Sequence, residues 1–169
     1  MQHDYSPYPG RVSRLRQWLS RADALLILNA QNIRYLTGFT GSEGALLAGP
    51  TGLLLLVDGR YVTQARGEAV DAEVCEFRNR VDGITAAIHR QGAKRIGFEA
   101  AAVSVEEYRR LTESVPGAMF EPLGGDFQML RALKDEKEIA MISDAARIAA
   151  NALASVREMI KPGAREEDI

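Results

Sequence analysis

Cysteine and histidine are scarce in this chain. A single cysteine, Cys75, among 169 residues excludes an internal disulfide, and the strand-like run from Glu73 to Phe77 around it predicts a buried, inert thiol. The two histidines are His3, in the amino-terminal tail, and His89, near the end of a predicted helix. Neither has a partner at metal-ligand spacing, and both read as surface residues. Basic charge is not in excess: Lys and Arg number 21 against 23 Asp and Glu, a net charge of -2, which argues against a nucleic-acid surface. No unbroken run reaches the ~20 apolar residues of a membrane span. The start M-Q-H-D-Y-S-P-Y-P-G lacks the basic and apolar regions of a signal peptide. A cytoplasmic protein with no membrane partner is the expectation.

What is present suits a soluble globular domain. Hydrophobic residues make up 46% and charged residues 26%, and the length suits one α/β domain with an appended piece rather than two full domains. Val12, Leu15, Trp18 and Leu19 predict an amphipathic helix over Arg11 to Ser20, with Arg11, Arg14, Arg16 and Arg21 on a solvated face. Continuous apolar runs at Leu25 to Leu28 and Leu53 to Val57 read as strands covered on both faces. Ala45 to Ala48 pairs with the second of these through Gly49-Pro50-Thr51-Gly52, a turn short enough for an antiparallel hairpin. Helix and strand then alternate. A helix through Val62, Ala65 and Ala69, capped by Asp58, precedes a strand from Val74 to Phe77, and a helix through Val81, Ile84 and Ile88 ends at Gly92 before a strand from Arg95 to Phe98. A third helix opens on the capping-box spacing of Ser104 and Glu107, ahead of a closing strand from Ala118 to Glu121. The pattern predicts a mixed α/β sheet of five to six strands flanked by helices.

Pro122, Leu123, Gly124 and Gly125 break the pattern, and a domain boundary is expected near Arg131. Beyond it, Asp135 to Ile160 reads as one long helix with an apolar stripe at Ile139, Ile142, Ala146, Ala149, Leu153, Val156 and Ile160, stopped by Pro162 and Gly163. The last residues, A-R-E-E-D-I, look like the first turn of a further helix, as a truncated chain would show.

The densest turn chemistry lies between Asn32 and Leu47. Gly38, Gly41 and Gly44 separate two apolar runs, Tyr35 and Phe39 flank the first of them, and Glu43 stands at the far end. A phosphate cradle needs a helix after the glycines, and here a strand follows. Two readings stay open: a sharp connection, or a loop that presents Phe39 and its neighbours to a ligand. Chemistry is otherwise thin. Glu106 with Glu107, and Glu166 with Glu167, point to different helix faces, and G-S-E-G around Ser42 is not a nucleophile elbow.

Asn32, Ile33, Tyr35, Leu36, Thr37, Gly38 and Phe39, followed by Gly44, Asp58, Arg60 and Tyr61, resemble the N-terminal domain of Xaa-Pro aminopeptidases and prolidases, the creatinase-like or pita-bread metallopeptidases. Arg131, Lys134, Asp135, Glu138, Ile139, Ile142 and Ala145 are similar to that family's R-x-x-K-D-x-x-E-I-x-x-I-x-x-A opening of the catalytic domain. The resemblance implies a non-catalytic, ribonuclease H-like N-terminal domain over residues 1–130 and the first helix of a truncated catalytic domain over 131–169. It implies a parent that hydrolyses the bond before proline with two divalent ions, manganese, cobalt or zinc, held by two Asp, one His and two Glu. None of those ligands maps onto this chain, which is therefore expected to be inactive alone. The partners implied are the chain's own catalytic domain, a second subunit and a proline-containing peptide. Tyr35, Phe39, Thr40 and Glu43 are then expected to be exposed and close to substrate in the parent dimer, with Phe39 as an apolar contact and Tyr61 supporting the scaffold. A catalytically silent peptide-binding scaffold and a creatinase-like hydrolase are the alternatives.

Overall fold

The computed structural model describes residues 8–157 and 159–168, so His3 lies outside the described residues. The chain divides into two compact units, Met1–Ala132 and Leu133–Ile169.

The first unit is built on a six-stranded sheet in the order β4-β3-β2-β1-β5-β6. The strands are β1 (Ala24–Ile27), β2 (Ala45–Gly49), β3 (Gly52–Asp58), β4 (Ala72–Phe77), β5 (Arg95–Glu99) and β6 (Met119–Leu123). The hairpin β2–β3 is antiparallel and β2 is antiparallel to β1, while the β1–β5, β3–β4 and β5–β6 pairs are parallel. Every strand but β2 therefore points the same way. β1 and, up to Ala48, β2 are buried because helices cover both faces. Alternate residues separate the two cores: Leu25, Ile27, Leu46, Leu55 and Val57 meet the helices α1 (Tyr8–Ser13), α2 (Arg16–Leu19), α3 (Ala30–Thr37) and α4 (Val62–Glu68) on one face. Leu26, Leu47, Leu54 and Leu56 meet α5 (Arg80–Gln91) and α6 (Val105–Ser114) on the other. Pro122 sits in β6, an edge strand, where a missing N–H costs no ladder bond. After β6, α7 (Gly125–Gln128) and a single 3-10 turn, Met129–Arg131, complete the first unit.

Local signals place the helix ends. Asn79 caps α5 through Val81 N–H at 2.9 Å, and Gly92 ends it in the left-handed region at φ 65. Ser104 caps α6 through Glu107 N–H at 3.1 Å, but the Glu107 carboxylate turns to Arg80, 3.3 Å away. Gln91, buried at the end of α5, accepts from Thr51 N–H at 3.1 Å and Thr51 hydroxyl at 2.7 Å, and so pins the hairpin turn.

Four local expectations are corrected. The first predicted helix is broken into α1 and α2 by a turn at Arg14 and Leu15, which brings Leu15 and Trp18 into the core. Arg11 and Arg14 are not on a solvated face: Arg11 donates to Tyr35 O at 3.1 Å and Arg14 to the Tyr35 hydroxyl at 2.6 Å. Asp58 does not cap α4, whose N-cap is Tyr61; its carboxylate holds Arg60 instead, through the backbone N–H at 2.9 Å and the guanidinium at 2.8 and 3.1 Å. Cys75 is only half-buried, beside Glu73 and Arg90; burial, with the Glu73 charge second, raises its thiol above the ordinary range and keeps it protonated.

In the second unit α8 (Glu136–Val156) starts with a complete capping box: Asp135 accepts from Glu138 N–H at 2.9 Å, and Glu138 accepts from Asp135 N–H at 3.0 Å. It ends at Val156, short of the expected Ile160. By length and composition this helix could cross a membrane, which a search for an unbroken apolar run passes over; a soluble packing helix meets the same criterion. Arg147 bonded to Asp144 at 3.1 Å along its length is a pair that a bilayer interior disfavours.

Candidate functional site

Because β2 alone runs backwards, its start lies at the same edge of the sheet as the carboxyl ends of the other five strands. The loop before β2 meets Tyr61, just after β3, through Ser42, and the start of α5, after β4, through Glu43 and Arg80. In open α/β sheets this edge is where ligand sites form.

The loop is built from the end of α3. Gly38 terminates that helix at φ 85, its N–H bonded to Arg34 O at 2.8 Å, a conformation that favours glycine. Thr37 donates to Ile33 O at 2.8 Å and its hydroxyl accepts from Phe39 N–H at 3.2 Å, which turns the chain inward. Phe39 is 1% exposed and packs edge-on against Tyr61, ring centres 6.0 Å apart. The next residues close over the ring: a β-carbon on Gly41 would stand 2.2 Å from Phe39 Cζ. Thr40 donates from N–H at 2.7 Å and from its hydroxyl at 2.9 and 3.0 Å to Glu68, with Gln64 bonded to both. These donors, the Thr40 N–H foremost, hold the Glu68 carboxyl below its usual range. Ser42 and Tyr61 share a hydrogen bond of 2.7 Å, and Glu43 pairs with Arg80 at 3.5 Å.

The expectation that Phe39 and Tyr35 are exposed is therefore overturned. Phe39 is a core residue because Thr37 and the glycines fold the loop onto it. Tyr35 is buried on α3 under the Arg11 guanidinium, which lies 4.4 Å from its ring centre. Thr40 and Glu43 are exposed as expected, Tyr61 supports the scaffold as expected, and the Glu43 side chain is 56% exposed. Beside them Arg60, with its side chain 74% exposed, is fixed by Asp58; its guanidinium hydrogen bond holds the Asp58 carboxyl below the usual range.

Sequence reasoning missed a second polar group at this edge. Glu99, at the end of β5, accepts from the backbone N–H of Leu28 at 2.7 Å and of Asn29 at 2.8 Å, and from the Asn32 side-chain amide. Asn32 in turn accepts from Arg131 Nε at 2.7 Å. Only an acidic residue closing an apolar strand could have signalled Glu99.

Residues 11–133 match the Creatinase/Prolidase N-terminal domain family. The chain belongs to that family. It is 31% identical over 145 residues to the uncharacterized peptidase YqhT of Bacillus subtilis (strain 168), covering 85% of this chain and 41% of that one. Its fold superimposes on the Xaa-Pro dipeptidase of Bacillus anthracis with a TM-score of 0.85 at 28% identity, covering 91% of this chain and 44% of that one. The crystallised N-terminal domain of the cytoplasmic peptidase PepQ from Mycobacterium tuberculosis matches with a TM-score of 0.66 at 34% identity, over 72% of this chain and 98% of that domain. The chain thus spans less than half the length of the full-length relatives it matches.

Two divalent metals, as creatinase-like peptidases imply, do not fit the residues present. Among the described residues no three His, Cys, Asp or Glu side chains converge where an ion could sit. The acids of the carboxyl edge are already committed: Asp58 to Arg60, Glu68 to Thr40, and Glu99 to Asn32 and two backbone amides. The carboxyl-edge rim of this creatinase/prolidase domain is polar and exposed at Thr40, Ser42, Glu43 and Arg60.

Proposed function

We propose that this chain is the non-catalytic N-terminal domain of an Xaa-Pro peptidase, that it supports subunit association, and that its carboxyl-edge rim shapes the entry of peptide substrate. Hydrolysis of the bond before proline would belong to the rest of the parent polypeptide, where two divalent ions would activate water. The family match and the likeness to an Xaa-Pro dipeptidase support the reading.

The observation that carries the role in access is the loop itself. It is pinned at Thr40, Ser42 and Glu43, so it is held in one shape, and it leaves polar groups outside while its one phenyl ring is buried. Contacts to a peptide would then be polar, from Thr40, Glu43 and Arg60. Tyr35 and Phe39, both buried, would make no direct contact.

The test uses the full-length parent. Arg60→Ala and Glu43→Gln are expected to change the ratio of kcat/KM for longer X-Pro peptides over X-Pro dipeptides about tenfold, the lower end of the effect of one hydrogen bond to a charged group, with Tm unchanged. An unchanged ratio in both variants counts against the proposed role in access.

A further inference from the structure

Glu99 and Asn32 are 7% and 6% exposed and sit where the start of α3 meets the end of β5. One Glu99 oxygen accepts the N–H groups of Leu28 and Asn29, the other the Asn32 Nδ2. Asn32 Oδ1 accepts Nε of Arg131 at 2.7 Å. A carboxylate only accepts and a guanidinium only donates, so one orientation of the Asn32 amide satisfies both neighbours. Among the described contacts, Glu99 reaches Arg131 only through that amide.

We propose that Glu99 is a positioning residue: by fixing the Asn32 amide it fastens Arg131, and with it the turn Met129–Arg131 from which the chain leaves the first unit, to the start of α3. The proposal is independent of the peptidase reading. Glu99→Gln keeps the size of the side chain but offers one oxygen. With that oxygen on the Leu28 and Asn29 amides, its NH2 group faces Asn32 and turns the Asn32 amide over. Nδ2 then meets Arg131, donor against donor, and the fastening is lost two residues away from the change.

The reporter is the Ala132 N–H, which closes the turn on Met129 O at 2.9 Å. Hydrogen exchange on the full 169-residue chain is expected to show protection at Ala132 lowered about tenfold by Glu99→Gln and by Arg131→Ala alike, the effect of one such bond, with the double variant no worse than either single one. Glu99→Gln combined with Arg131→Gln should regain most of the protection, since a glutamine side chain in place of the arginine can accept from the turned amide. Additive losses, or Glu99→Gln that exposes Ile33 N–H in α3 and leaves Ala132 protected, would overturn the proposal. So would wild-type protection in Arg131→Ala, a surface change that is informative even where Glu99→Gln does not fold.

Discussion

Gly41 lies so close over Phe39 that a β-carbon on it would stand 2.2 Å from the ring's Cζ. The contact makes the loop before β2 a lid on the core, and it makes the glycine at position 41 a packing requirement.

Truncating the ring should therefore destabilise the domain. Phe39→Ala is expected to cost about 3–5 kcal/mol, as for a fully buried phenylalanine, measured by urea unfolding. A loss within ~0.5 kcal/mol, typical of surface positions, would return Phe39 to the exposed role expected from sequence.

Gly41→Ala should be destabilising by about 1–3 kcal/mol through overpacking. Combined with Phe39→Leu, which frees the space at Cζ, the cost of the alanine should shrink, so the two changes are not additive. Additive unfolding free energies for the pair would show that the glycine is needed for some other reason.

The acid limb of stability should report Glu68. Its folded carboxyl lies below the ordinary value of 4.5, held there by Thr40 N–H first and the Thr40 hydroxyl second. A depressed folded value means that the contribution is fully present above the ordinary value and is lost as pH falls through the folded one. Wild type should thus lead Glu68→Gln in Tm at pH 7, and the lead should shrink progressively below pH ~4.5. A lead that grows on acidification contradicts the assignment.

The layered architecture was legible because Leu25 to Leu28 and Leu53 to Val57 are apolar without interruption, a pattern that suits strands covered on both faces, and because Gly92, Ser104 and Asp135 sit where helix ends need them. The fate of Phe39 was not legible. An aromatic between glycines can turn either way, and the decision rests on the Thr37 hydroxyl and on Tyr61, which arrives from a different strand end. Glu99 was equally hidden: its donors at Leu28 and Asn29 lie some 70 positions away and come within reach only through the parallel register of β1 and β5. The inward turn of Arg11 and Arg14 depends on Tyr35 in the same way, since residue spacing alone cannot tell a solvated cation from one stacked on a neighbouring helix.

The central claim, that this domain carries no catalytic centre of its own, is tested most directly by assaying the purified 169-residue chain on an X-Pro dipeptide and tripeptide with manganese, cobalt or zinc added. The account predicts no hydrolysis above the metal-only control with any of the three. Turnover that follows the protein through successive purification steps would contradict it.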